Sequence, residues 1–327
     1  MTKAVFMSAG GDPFIALFAL QLFQKHWHNE IDTFYICYNN HCKVPDAVVE
    51  EFKARVAQEP KVKLLYYPTG IGNGMPITKM LEVATEDLIM LLEDDGFIFT
   101  PGIVAECFAR IEAGEVDAVG SPRFSCGFEV SALLKAKYGL DYSGSGDIGP
   151  NFWPNFFFCK RTDLEGTDRN FASYSFEKDK YYPELGGVIT KEGEYADTFC
   201  WACIQLRHMG VRFGSVPQKH ASPTEFDDQL NSHGNWVSPI KWIHGGSLST
   251  SWGGYLSGMK PNFTTLSGKQ EIETRVAFWM ICSDYIEGFE EFKKAYKNGI
   301  RNLCIDSELN LARIELKTAI YKDMMQI

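Results

Sequence analysis

The sequence predicts an α/β protein built on a mostly parallel sheet flanked by helices. Three observations carry this. Strand-like and helix-like segments alternate through the first third of the chain. One of those strands, Leu88 to Leu92, is apolar at every position, as a strand covered on both faces must be. The 327 residues are 45% hydrophobic and 23% charged, which supplies enough apolar side chain for a large core.

The elements follow in order. Ala4 to Met7 is an apolar strand, and Ser8-Ala-Gly-Gly-Asp-Pro13 leads from it into a helix. Asp12 is the expected N-cap and Pro13 lies in the first turn, where a missing N–H costs nothing. Phe14, Leu17, Phe18 and Leu22 then recur at helical spacing. Ile31 to Tyr38 is a second strand ending in Asn39-Asn-His-Cys42, and Ala47 to Ala57 is a polar amphipathic helix. Val62 to Tyr67 is a third strand, Gly70-Ile-Gly-Asn-Gly74 a turn, and Pro76 to Ala84 a helix. After the fourth strand come a helix over Ile103 to Glu112 and a short strand over Ala118 to Pro122. Ligands of such sheets sit at the carboxyl ends of the strands. Ser8-Ala-Gly-Gly11 matches neither G-x-G-x-x-G nor a P-loop, so its glycines read first as turn punctuation.

Arg123 to Tyr195 is rich in Gly, Ser and aromatics and shows few clear periods. Within it Phe156 to Cys159 reads as a buried strand and Ser143 to Asp147 as a loop; a long irregular stretch inside a domain is usually functional. Glu194-Tyr-Ala-Asp197 is expected to open a helix with Phe199, Cys203, Leu206 and Met209 on one face and Gly210 as C-cap. Val211 to Val216 follows as a strand. Cys200-Trp-Ala-Cys203 has no second C-x-x-C to pair with and reads as two core-facing thiols. From Leu266 the pattern is helical, over Lys269 to Cys282, Tyr285 to Lys297 and Ser307 to Met325. Glu290 and Glu291 fall at pairing distance from Lys294, while Lys293, Lys294, Lys297 and Arg301 form a modest basic patch, read as a solvated face.

Composition narrows the function classes. With 42 acidic residues against 32 Lys and Arg the formal net charge is −10. That argues against attachment to nucleic acid through a basic surface. Nine scattered Cys read as reduced thiols, the start of the chain does not read as a signal peptide, and the apolar run Pro13 to Phe23 is too short for a membrane span. The expectation is a cytoplasmic protein whose Asn262-Phe-Thr264 sequon goes unused.

The chemistry concentrates at Glu93-Asp94-Asp95-Gly96, at the end of the all-apolar strand. Three adjacent carboxylates repel one another unless water or a cation neutralises them. Strand alternation predicts Glu93 and Asp95 on one face and Asp94 on the other. Two carboxylates on one face suit a hard divalent ion, Mg²⁺ or Mn²⁺.

Here the sequence resembles a known family. Val5 to Gly102 is similar to the nucleotide-sugar half of a GT-A fold glycosyltransferase of the family 2-like group. The match lies in the order of elements and in Met90-Leu-Leu-Glu-Asp-Asp-Gly96, which resembles that family's apolar strand and D-x-D motif. Gly72-Asn-Gly74 and the helix after it resemble the family's Gly-containing turn. The resemblance implies a GT-A-type Rossmann-like sheet, with residues 1–120 as the nucleotide-sugar-binding half, 121–262 as the acceptor-binding and catalytic half, and 263–327 as a C-terminal helical extension. It implies a metal-dependent inverting transfer of a hexosyl or pentosyl group from a nucleoside-diphosphate sugar, with a UDP-sugar as first choice, to an acceptor hydroxyl.

By that resemblance Asp95 would hold the Mn²⁺ or Mg²⁺ that bridges the diphosphate, with Glu93 assisting. Ser8, Ala9, Asn39, Asn73, Glu93 and Asp94 would contact the donor, although the family often reads the base with an Asp where this chain has Asn39 and Asn40. Asp197 matches the Asp of an E-D pair, with Ala196 in place of the Glu, and would be the base that takes the acceptor's proton; its alternative is a plain N-cap. His244, in Trp242-Ile-His-Gly-Gly-Ser-Leu-Ser249, would complete the metal site, with His220 as rival, and an imidazole favours Mn²⁺ over Mg²⁺. Trp236 or Trp252 could stack on a sugar. A glycan or lipid-linked sugar is the default acceptor, and a modified DNA base a less favoured one. Two other classes stay open: sugar-nucleotide nucleotidyl transfer, for which Ser8 to Pro13 lacks the usual basic residue, and a non-catalytic carbohydrate-binding protein, against which the joint presence of metal, base and His candidates argues.

Overall fold

The first strand, β1 (Lys3–Gly10), lies inside the sheet rather than at its edge, and the next elements build outward from it. They are α1 (Pro13–Leu22), β2 (Thr33–Asn39), α2 (Asp46–Val56), β3 (Val62–Tyr67), α3 (Met75–Leu81), β4 (Leu88–Glu93), the short β5 (Gly96–Ile98), α4 (Ile103–Glu112) and β6 (Ala118–Pro122). Next come α5 (Phe128–Tyr138), β7 (Phe152–Lys160), α6 (Arg161–Glu165) and four short strands: β8 (Tyr174–Ser175), β9 (Lys180–Tyr182), β10 (Gly187–Ile189) and β11 (Tyr195–Ala196). Then follow α7 (Cys200–His208), β12 (Phe213–Ser215), β13 (Trp242–His244), and helices α8 (Lys269–Tyr285), α9 (Glu290–Asp306) and α10 (Leu311–Met325). The structure is a computed structural model that describes residues 1–122, 126–139, 152–215, 242–244, 269–306 and 308–327.

The sheet has seven strands in the order β12-β6-β7-β4-β1-β2-β3. β7 runs antiparallel to both neighbours and every other pairing is parallel. This is the mostly parallel, helix-flanked sheet followed by C-terminal helices that the sequence predicts. Strand alternation divides the core in two. Val5, Met7, Leu88, Met90, Leu92, Phe34, Ile36 and Phe158 join the cluster with α1, α2, α4 and the C-terminal helices. Ala4, Phe6, Ile89, Leu91, Tyr35, Cys37 and Phe157 join the cluster with α3 and α7 on the opposite face. A third cluster gathers Val130, Leu134, Phe176, Tyr182 and Trp201. All nine Cys are unlinked thiols, and among the described residues no helix is long and apolar enough to cross a membrane.

The local signals at α1 are realised: the Asp12 side chain accepts from the Phe14 N–H at 2.8 Å and Pro13 is the first helical residue. β1 is longer than the apolar run, because Ser8, Ala9 and Gly10 continue its pairing with Cys37, Tyr38 and Asn39. The glycine turn therefore begins only at Gly11, which has φ of +86°. Among its described residues the stretch Arg123 to Tyr195 carries α5, β7, α6, β8, β9, β10 and the first residue of β11. Helix α5 escapes the periodicity because it buries only Val130 and Leu134 and leaves Phe128 91% exposed.

Glu194 does not open a helix. Its carbonyl accepts from the Phe176 N–H, and β11 pairs antiparallel with β8, so strand pairing overrides the local helical signal. α7 begins at Cys200, behind Phe199, which has φ of +67°. The buried Glu194 carboxylate serves another helix instead. Its Oε2 accepts from the N–H groups of Glu129 and Val130 at 2.9 and 3.1 Å, capping α5 from a distant part of the chain. Gly127 makes room for it, since a Cβ there would stand 2.0 Å from that oxygen. At the C-terminus Glu290 meets Lys293 at 3.8 Å rather than Lys294, and Lys297 is bound to Asp284 at 2.8 Å, so the basic patch is partly neutralised.

Glu194→Ala is expected to destabilise the fold by about 1–2 kcal/mol, the usual worth of a lost cap, measured by the urea midpoint. Acid stability has a separate contributor. The Arg212 guanidinium donates to Asp117 and holds its carboxyl at about 2, below its ordinary 3.8, tying the starts of β6 and β12 together. Its stabilisation is complete above pH ~4 and lost as pH falls through ~2. Asp117→Asn should therefore flatten the acid limb in that window, by under about 1 kcal/mol because the pair is screened by water.

Candidate functional site

Register and alternation bring several predicted residues to one face. Along β1 and β4 the side chains of Phe6 and Leu91 point to the α3/α7 face, and so, two residues on, do Ser8 and Glu93. Ser8 and Glu93 are register partners, and both are only partly buried. On β2 Cys37 leads in the same way to Asn39, also partly buried, whose Nδ2 donates to the Ala9 carbonyl at 3.0 Å. Ala9 itself faces the other way, into the core, so only its backbone is offered at this edge. Asn73 is exposed in the turn between β3 and α3, between Gly72 and Gly74, both at positive φ. His41, which was not singled out, lies over the same edge: its Nδ1 is 2.9 Å from where a Gly10 Cβ would stand. Partial burial pushes its imidazole pKa below the usual value.

The acidic motif differs from its expected alternation. β4 ends at Glu93, and Asp94 and Asp95 form the turn into β5, so the strand rule stops one residue in. Asp94 is buried; its N–H donates to the Ser8 carbonyl and its Oδ2 accepts from the Gly10 N–H, both at 3.0 Å. Its carboxylate, together with that of Asp12 and after the larger effect of burial, raises the Tyr38 pKa, which places Asp94 towards the α1 side of the sheet. Asp95 is 3% exposed. Asn155, from β7, closes the turn: its Oδ1 accepts from the Glu93 N–H at 3.4 Å. That oxygen lies 2.4 Å from where a Gly96 Cβ would be, which is why a glycine ends the motif.

Antiparallel pairing of β13 with β5 sets His244 opposite Gly96, the residue after Asp95. Among the described residues no three His, Cys, Asp or Glu side chains converge as a metal cluster. The residue types at this turn are those a hard divalent ion takes: Glu93 and Asp95 are carboxylates, and the β13 register sets position 244, a histidine, opposite Gly96. His220, Trp236 and Trp252 lie outside the described residues.

Asp197 sits in the turn before α7, partly exposed and not an N-cap. Its Oδ1 accepts from the Thr198 N–H at 2.8 Å and from the Ser173 hydroxyl at 3.2 Å. Two contacts fix this turn to the rest of the site. Phe199 packs on Phe157 of β7 with ring centroids 4.9 Å apart. The backbone at Phe171 and Ala172 comes so close to Gly74 that a Cβ there would stand 2.3 Å from Ala172 N. Ser173 and Asn155 were not foreseen; the only sequence signal for Asn155 is an amide directly before an apolar run. Cys200 and Cys203 are both buried, in different clusters, as core thiols.

No family model matches the sequence, and no curated protein matches it. Among solved structures the chain is similar to the 1–349 portion of TarS from S. aureus, with 10% identity and a TM-score of 0.41, over 91% of this chain and 79% of that one. It is also similar to glucosyl-3-phosphoglycerate synthase from Mycobacterium tuberculosis in complex with phosphoglyceric acid. That likeness has 13% identity and a TM-score of 0.34, over 53% of this chain and 60% of that one. The roles of this chain's residues rest on their own chemistry and geometry.

Gly96→Ala is expected to displace Asn155 and open the acidic turn. A Cβ would meet Asn155 Oδ1 at 2.4 Å and Leu92 Cδ1 at 2.7 Å. The cost should be about 1–3 kcal/mol, as for other overpacked sites, seen as a lowered urea midpoint.

Proposed function

We propose that the chain is a glycosyltransferase that moves a sugar from a nucleoside-diphosphate sugar, a UDP-sugar in the first instance, to an acceptor hydroxyl with inversion. The observation that carries this reading is the meeting, on one face and at the carboxyl edge of the sheet, of Ser8, Asn39 and Glu93, with the Asp197 turn packed against β7 on that same face. An open α/β sheet binds its ligand at this edge.

On this reading Asn39 at the end of β2 reads the base, and Ser8 with the β1 backbone lines the path to the diphosphate. Glu93 and Asp95, with His244, would hold Mn²⁺ or Mg²⁺, which when bound supplies positive charge against the leaving diphosphate. Asp197 is the base. Among the described residues both of its hydrogen bonds go to Oδ1, so Oδ2 is the oxygen that takes the acceptor hydroxyl's proton as that hydroxyl attacks the anomeric carbon. The leaving diphosphate departs from the opposite face of the sugar. A glycan or lipid-linked sugar is the favoured acceptor. A DNA base is less favoured, because Lys297 is already engaged by Asp284.

Two measurements test this. A thermal-shift panel of nucleoside diphosphates and sugar nucleotides should show a raised midpoint for one donor family, larger with Mn²⁺ than with a chelator. Asp197→Asn should lower transfer at least about 100-fold while leaving donor binding intact. Normal turnover in that variant would sink the base assignment, and release of pyrophosphate instead of a nucleoside diphosphate would point to nucleotidyl transfer.

A further inference from the structure

Asn155 carries more than its bond to Glu93. It is 4% exposed, and among the described residues its buried Nδ2 has no hydrogen-bond partner. A buried amide donor left unpaired is costly, and native chains seldom keep one without a use. The strand beneath it is distorted to put it there. The two steps from Gly120 to Pro122 on β6 face the five steps from Phe157 to Phe152 on β7. Pro154, which cannot donate to a ladder, sits inside this bulge, and the buried Phe156 is held at φ of +60°. Bulges of this kind re-aim side chains next to sites. Here the pairing of Leu91 with Phe157, continued two residues further along each strand, brings Asn155 beside Glu93.

Across the carboxyl edge the order of strands is β2, β1, β4, β7. On the reading above, on which this inference rests, the base lies over β2 at Asn39 and the diphosphate over the acidic turn of β4. The transferred sugar then lies over β7. The Asp197 turn reaches the same strand through Phe199 and Phe157. The geometry points to Asn155 as a specificity-determining residue whose Nδ2 donates a hydrogen bond to a hydroxyl oxygen of the transferred sugar, while its Oδ1 keeps the Glu93 N–H. Sugar binding exchanges the packing that now covers the nitrogen for that bond. Glu93 and Asp95 can only accept when ionised, so a neutral amide donor complements them on a ring of hydroxyls.

The test compares affinities rather than rates. Calorimetry with Mn²⁺ measures, for wild type, Asn155→Ala and Asn155→Asp, the sugar nucleotide that most raises the wild-type midpoint and the matching nucleoside diphosphate. Both variants should weaken the sugar nucleotide at least about tenfold relative to the diphosphate, since neither can donate from this position. Asn155→Asp keeps the shape and the acceptor for Glu93, so it reports even if Asn155→Ala fails to fold. If both ligands weaken in parallel, Asn155 only holds the turn and the assignment is overturned; unchanged binding of both overturns it equally. If wild type binds no nucleoside diphosphate or sugar nucleotide, the glycosyltransferase reading falls and takes this assignment with it.

Discussion

A single buried hydrogen bond, from the Gly10 N–H to the Asp94 carboxylate, fixes the edge on which everything else is arranged. It joins the end of β1 to the turn after β4, and the bond from the Asp94 N–H to the Ser8 carbonyl repeats the link one step back. Once these two neighbours end together, the alternation of side chains decides what each face receives. Ser8 and Glu93 go to the α3/α7 face, and Ala9 goes to the core. The cost is two buried carboxylates, since Asp12 caps α1 close by. Their effect is visible in the neighbours: burial, then Asp12 and Asp94, push the Cys42 thiol up to about 11 and raise the Tyr38 hydroxyl as well. Tyr38 answers by donating to the Gly11 carbonyl, which closes the turn from the far side.

The antiparallel strand β7 is the second organising element. It lies between β4, which ends in the acidic turn, and β6, which leads towards the outer strand β12. In its regular half Phe157, Phe158 and Cys159 are core, and Phe157 and Cys159 pack with α7. Its bulged half places an amide against the acidic turn. One strand thus connects the acidic turn with the turn that holds Asp197.

The parallel half of the fold was legible because its signals are local. β3 and α4 have the bounds that the pattern implies, and Asp12 with Pro13 marks the start of α1. What was not legible depends on partners far along the chain. Helix α5 buries too little to show a period, and its cap arrives from Glu194, more than sixty residues away. Glu194 to Asp197 carries a helix-start pattern that pairing with Ser175 overrides. The carboxylates of the motif were found, but their orientation was not, because strand alternation ends where the turn begins. Asn155 and Ser173 acquire meaning only through tertiary neighbours, Glu93 in one case and Asp197 in the other.

The close approach of Gly74 to Phe171 and Ala172 has a mechanical side. Asn73 is the residue before Gly74, and Ser173, the residue after Ala172, grips the Asp197 carboxylate. With backbone against backbone and no side chain between, the two loops have no slack to absorb a displacement separately. A displacement of the glycine turn is therefore expected to reach the Asp197 carboxylate through Ala172 and Ser173.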